Sequence, residues 1–226
     1  MKHRIWKGML RFWEADRGLS IILILLVTII FVLPVVLTPS PTERFVRNFI
    51  FSALLITGAV TVIESRWERV VVAALAMAAL LVRWAAVVES SNVLIVWREA
   101  STLVMLLLFI IVVAMRTYRR GPVSYHRIQG AIAVYLLFGL VWAQAYELLH
   151  LLRPEAFSSA VDLASGSKTW IYYSFVTLTT MGYGDITPVH PLARSLAISE
   201  ALTGQLYIAI TLARLMALHI SARDND

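Results

Sequence analysis

Along this chain, hydrophobic and polar positions separate into long blocks rather than into the stripes of a soluble helix. Apolar runs occupy residues 19–38, 45–63, 70–89, 92–115 and 128–152, divided by short polar stretches. About 20 helical residues cross a hydrocarbon core of roughly 30 Å, so each run predicts a spanning helix. The connectors at 39–45, 64–69 and 89–92 are short enough to make sequential spans antiparallel neighbours, which predicts a compact bundle from the first four. Pro34 lies inside the first span and removes a backbone donor, which predicts a bend there. Residues 169–180 are apolar and aromatic, yet 12 residues are too few to cross as a helix. They are expected to enter the membrane and turn back. A sixth span begins near Leu192 and runs to the terminal SARDND.

Between the re-entrant stretch and the last span lies TLTTMGYGDITP, residues 177–188, a polar strip with two glycines in otherwise apolar surroundings. Irregular backbone at membrane depth survives only where protein buries it or where it lines an aqueous path, because unsatisfied peptide groups are costly in hydrocarbon. An ion path is therefore the first reading. Gly182 and Gly184 can take positive φ, so successive carbonyl oxygens can point the same way. Oxygens so aligned can replace a cation's water shell.

Composition agrees with the blocks. The 226 residues are 59% hydrophobic and 15% charged, and the mean hydropathy of +0.76 marks an integral membrane protein rather than a soluble domain. The absence of cysteine removes disulfides, thiolate chemistry and Cys-based zinc sites, and the five histidines show no metal spacing. The sequence contains no phosphate loop, no nucleophile paired with a base and no carboxylate pair in a plausible pocket. An enzyme is therefore not expected, and neither is a cofactor other than permeant ions.

The net charge of +6 could suggest nucleic acid, but its distribution follows the membrane. With a cytoplasmic N-terminus, thirteen of the 20 Lys and Arg fall inside and five outside, with Arg83 and Arg98 within spans. This is the positive-inside bias, and it predicts both termini in the cytoplasm of a multi-pass cell-membrane protein, with no nucleic-acid partner. Residues 1–18 interleave basic with aromatic and apolar side chains. They read either as an interfacial segment or as a basic tail that only orients the chain.

Thr179–Asp185, with Thr180, Met181, Gly182, Tyr183 and Gly184 between them, resembles the signature of the potassium channel superfamily, with Met181 where a Val is usual. The resemblance covers roughly residues 128–220 and implies a bacterial-type, all-α membrane protein with six transmembrane helices. These would be a four-helix peripheral bundle, then an outer helix, a re-entrant pore helix with its filter, and an inner helix. With one strip per chain, the pore implies a cyclic homotetramer. Thr180, Met181, Gly182, Tyr183 and Gly184 would form the filter that binds potassium, the only metal implied.

By the same resemblance Thr179, Asp185, Tyr172, Tyr173 and Trp170 support the filter. Asp185 would bond Trp170 or Tyr172, Tyr183 would meet Tyr172 and Tyr173, and Met181 would point behind the filter. Gly204 falls at the inner-helix hinge position, with close packing as its alternative role, and Gln205, Ile208 and Leu212 would line the cavity. Glu200 is an acid inside a span, which makes it a functional candidate; a hydrogen bond to the pore helix or a neighbouring segment is its plainer role.

Six spans with the pore between the last two also resemble the voltage-gated branch, in which the fourth helix carries a cation at every third position. Here that helix holds only Arg98 before Arg116, too few charges for steep voltage dependence. Arg83 and Glu99 sit at similar depth and are expected to form a buried ion pair, with Arg98 turned toward the external interface. Arg116, Arg119 and Arg120 are expected to meet anionic lipid.

The predicted organisation is an interfacial segment at 1–18, a voltage-sensor-like domain at 19–115, a cytoplasmic linker at 116–127, a pore domain at 128–220 and a short tail at 221–226, with no cytoplasmic ligand-binding domain. The expected activity is passive, potassium-selective and largely voltage-insensitive conduction. The alternatives are a nonselective or weakly voltage-dependent cation channel, a nonconducting modulatory subunit, and a potassium transporter subunit.

Overall fold

The computed structural model describes residues 19–36, 45–46, 49–50, 52–54, 77, 81, 92–118, 125–159, 163 and 167–223. Among these, four helices are long and apolar enough to cross a membrane: α1 (Leu19–Val36), α2 (Asn92–Thr117), α3 (Tyr125–Leu152) and α5 (Pro191–Arg223). The shorter α4 (Ser167–Leu178) precedes the polar strip. The spans expected at 45–63 and 70–89 fall largely outside the described residues, as do residues 1–18, Arg83, Arg119 and Arg120.

The first span carries its proline as anticipated, but through a local widening. Residues Thr28–Val32 form a π-helical turn, closed by Leu33 N–H donating to the Thr28 carbonyl. Pro34 follows at once. A ring at that position lacks a donor and crowds the carbonyl four residues back, and a wider turn relieves both problems.

The chain divides into two compact units, residues 1–81 with 108–134, and residues 82–107 with 135–226. The division falls inside α2 and α3. In the first unit α1 buries Ile22, Leu26, Ile29, Ile30 and Leu33, a stripe of helical spacing. Ser20 Oγ donates to Gln129 Oε1 at 2.7 Å, tying α1 to the start of α3.

The second unit holds the polar strip. Its core is aromatic: Tyr146 of α3, Trp170 and Tyr173 of α4 and Phe157 pack together with Leu149, Ile186 and Ala193. Tyr146 and Tyr173 meet edge-on with ring centroids 4.8 Å apart, a favourable aromatic geometry. Beside this core, β1 (Phe157–Ser159) pairs antiparallel with β2 (Ile186–Pro188), Ser158 facing Thr187. This long-range pair ties the loop after α3 to the segment that follows the strip.

α5 starts with Pro191 at its first position, where a missing N–H costs nothing, and His190 Nδ1 accepts from Leu192 N–H at 3.1 Å. Among the described side chains of this helix, one stripe is covered. Ala193, Glu200 and Gly204 are buried, with Leu196, Thr203 and Tyr207 half-buried between and beyond them. Leu192, Ile198, Leu202, Leu206, Ile210 and Met216 are exposed around the rest of the helix.

Candidate ion-conduction site

The strip begins where α4 ends, and the way α4 ends sets its geometry. Met181 N–H donates to the Val176 carbonyl at 2.9 Å, and Thr180 N–H to the Thr177 carbonyl at 2.9 Å. This crossed pair of bonds is a Schellman closure, which requires a left-handed residue just past the helix. That residue is Thr180, with φ +60°, although glycine usually takes such a place and a branched side chain resists it. The Thr180 hydroxyl donates to the Thr179 carbonyl at 2.7 Å, and Gly182 N–H also reaches the Val176 carbonyl, at 3.3 Å.

Positive φ recurs at every second residue: Thr180 at +60°, Gly182 at +58° and Gly184 at +80°. Alternation of this kind lets consecutive peptide groups face one way, a property of backbone that binds ions. The strip is uncovered by its own chain. Met181 is 60% and Tyr183 64% exposed, and Thr179, Thr180, Gly182 and Gly184 are exposed as well.

Asp185 follows, and its carboxylate accepts from the Tyr172 hydroxyl at 2.8 Å and from Ile186 N–H at 3.1 Å. Of the two partners considered for Asp185, Tyr172 is the one in contact. The bond to Asp185 raises the Tyr172 phenol above its ordinary pKa. Trp170 and Tyr173 turn into the aromatic core instead, where Trp170 also lies against His150, with centroids 5.1 Å apart. Tyr173 packs on Tyr146, Phe157 and Trp170. The reason is position: two neighbouring residues of α4 face different sides of the helix. In Tyr172→Phe we expect the fold to persist and conduction to become less sustained, because one bond worth about 0.5–1.5 kcal/mol is lost behind the strip. Current decay during maintained recording checks this.

Behind the strip α4 is held tightly between α3 and α5. A Cβ added to Gly204 would lie 2.2 Å from the Leu178 carbonyl oxygen at the end of α4. The glycine therefore sits where α5 backbone meets α4 backbone, and α5 runs through it as one continuous helix. On α3, a Cβ at Gly139 would lie 2.4 Å from the tip of the Phe175 ring. Gln205, Ile208 and Leu212 lie beyond Gly204 and are exposed on this chain.

Glu200 is fully buried and joins all three helices. Tyr146 Oη of α3 lies 2.6 Å from its Oε2, and Ser174 Oγ of α4 lies 2.5 Å from its Oε1. Ser174 Oγ is also 2.7 Å from the Gly139 carbonyl. The sequence drew attention to Glu200 and offered a hydrogen bond to the re-entrant helix or a neighbouring segment as its plainer role, without naming Tyr146 or Ser174.

Farther from the strip, Glu99 is buried and pairs with Arg98 on the same helix, Arg98 Nε donating at 2.6 Å. Gln144 Nε2 donates to its other oxygen at 2.6 Å. Arg98 thus folds back onto Glu99 rather than turning outward, because a buried carboxylate without a cation is costly. Arg83, named as the partner of Glu99 from the sequence, lies outside the described residues.

Comparison with known proteins places this geometry in context. Residues 131–220 match the family described as Ion channel. That stretch, less than half of the chain, runs from within α3 to within α5 and contains the whole strip, and the helices around it are long and apolar enough to cross a membrane. The chain is 38% identical over 65 residues to Protein LctB of Geobacillus stearothermophilus, a match covering 29% of this chain and 48% of that protein. It is 34% identical over 85 residues to Protein LctB of Bacillus caldotenax, covering 35% of this chain and 63% of that protein. It is also 32% identical over 74 residues to the Inward rectifier potassium channel Kirbac3.1 of Paramagnetospirillum magnetotacticum, covering 33% and 22% respectively. The chain therefore spans less than two thirds of the length of each of these relatives.

Proposed function

We propose that the protein is a potassium-selective channel that conducts passively through a pore built from four copies of the strip Thr180–Gly184. The observation that carries this reading is the alternation of positive φ at Thr180, Gly182 and Gly184 along a strip its own chain leaves exposed. Carbonyl oxygens of Thr180, Met181, Gly182 and Tyr183, with the Thr180 hydroxyl, would take the place of water around potassium, and mutual repulsion between ions would keep each site weak enough to leave. The C-terminus of α4 lies at the inner end of the strip, and its partial negative charge favours a cation there. The relative named as a potassium channel supports the choice of ion.

One strip per chain and the exposed apolar surface of α5 support a homotetramer, with identical subunits covering what one chain leaves bare. The weak voltage dependence we assign rests on α2. Moving one charge through 100 mV supplies about 2.3 kcal/mol, but Arg98 and Glu99 are neighbours in an ion pair, so their charges cancel when the helix moves. We assign Arg116, Arg119 and Arg120, which cluster in the sequence where the span is read as ending at the cytoplasmic face, to contact with anionic lipid. No reaction chemistry is assigned.

Purified protein in liposomes tests the proposal. Potassium efflux at channel rates, with sodium efflux far slower, is the expected result. Equal flux of both ions would point to a nonselective cation channel, and no flux from assembled protein to a modulatory subunit.

A further inference from the structure

The contacts around Glu200 can be counted in hydrogens. Three short oxygen–oxygen contacts run in series: Gly139 carbonyl to Ser174 Oγ at 2.7 Å, Ser174 Oγ to Glu200 Oε1 at 2.5 Å, and Glu200 Oε2 to Tyr146 Oη at 2.6 Å. Each contact needs one hydrogen. The Gly139 carbonyl has none to give, Ser174 has one and Tyr146 has one. An ionised Glu200 therefore leaves three contacts to two hydrogens, with one pair of oxygens facing each other bare. A Glu200 in its acid form supplies the third, and one arrangement then fills every contact: Glu200 donates to Ser174, Ser174 donates to the Gly139 carbonyl, and Tyr146 donates to Glu200.

The charges nearby agree. Tyr135 and Tyr146 on α3 and Tyr173 on α4 are the titratable groups whose electrostatics reach Glu200. All three are phenols, and the two side chains that bond Glu200 are a serine and a tyrosine. Glu99, the other buried acid, has Arg98 beside it. A buried carboxylate that lacks such a partner is costly to ionise.

We propose that Glu200 is a proton-binding site, and that its bound proton locks α3, α4 and α5 together behind the strip. The site lies one helical turn before Gly204, where α5 touches the carbonyl that ends α4. Removing the proton empties one of the three contacts and leaves a bare charge among three helices, so the support of the strip loosens as pH rises. The proton site itself stands on the local geometry; its effect on conduction rests on the channel reading above.

Glu200→Gln is the informative variant. Its amide nitrogen donates to Ser174 and its oxygen accepts from Tyr146, so it reproduces the acid form at every pH. Infrared spectra of the full-length protein in liposomes at neutral pH are expected to show a protonated-carboxyl carbonyl band that Glu200→Gln lacks. Identical spectra would overturn the proposal, whether or not the protein conducts. Raising the pH is expected to remove that band and, with it, potassium flux in the wild type, while flux through Glu200→Gln stays level. Flux that declines equally in both proteins, or a band that vanishes with no change in flux, would refute the regulatory role. Should Glu200→Gln fail to fold, Ser174→Ala serves as the second variant: it removes the acceptor of the Glu200 proton and is expected to shift the carbonyl band, and an unshifted band would count against the site.

Discussion

A Gly182→Ala protein is expected to fold and reach the membrane but to carry no potassium-selective current. Gly182 has φ +58°, where an L-residue costs about 1–2 kcal/mol, and in the proposed tetramer that cost recurs in every subunit. Among the described residues, and apart from its chain neighbours, nothing lies within 4 Å of an added Cβ, so the substitution meets no clash there that would unfold the subunit. What it disturbs is backbone direction. A peptide group that swings to relieve φ takes its carbonyl oxygen out of the ion path, and preorganised oxygens are the whole of the selectivity proposed here. Selective current retained at wild-type level, with normal expression and assembly, would remove these residues from the filter.

The same substitution at Gly204 is expected to do the reverse, damaging the fold first and conduction only as a consequence. Helix propensity alone would favour alanine by about 1 kcal/mol. The new Cβ, however, would lie 2.2 Å from the Leu178 carbonyl oxygen, and backbone cannot step aside as a side chain tip can. Overpacking of this kind costs about 1–3 kcal/mol, so α5 must move away from the end of α4. A lower thermal midpoint in detergent and a smaller assembled fraction are the expected readings. Gly139→Ala is expected to be milder, since its obstacle is the Phe175 ring, which can turn. A Gly204→Ala protein as stable as wild type would show that the helices part easily here and would favour a bending role for the glycine.

What the sequence could reveal was whatever depends on near neighbours. Apolar blocks fix span length, and α2, α3 and α5 begin and end within a few residues of the expected limits. α4 is as short as its 12-residue run. Gly182 and Gly184 advertise positive φ through residue type alone. Thr180 does not, because its left-handed backbone is imposed by the closure of α4 onto Val176 and Thr177, and a branched residue gives no warning of it. Strands of three residues carry too little alternation to be read, so the pairing of β1 with β2 was hidden. The Tyr146–Glu200–Ser174 contacts depend on the register of three helices, with partners 54 and 26 residues from Glu200. An acid in an apolar span was the only signal. Arg98 and Glu99 are adjacent in sequence, yet helical neighbours normally diverge, and their pairing follows from burial rather than spacing.

The central claim is selectivity for potassium, and a bi-ionic reversal potential tests it most directly. Purified protein in a planar bilayer, with potassium on one side and sodium on the other, is expected to reverse close to the limit set by potassium alone, and Gly182→Ala to show no such current. A reversal at zero, with both ions carrying comparable current through the wild-type pore, would contradict it.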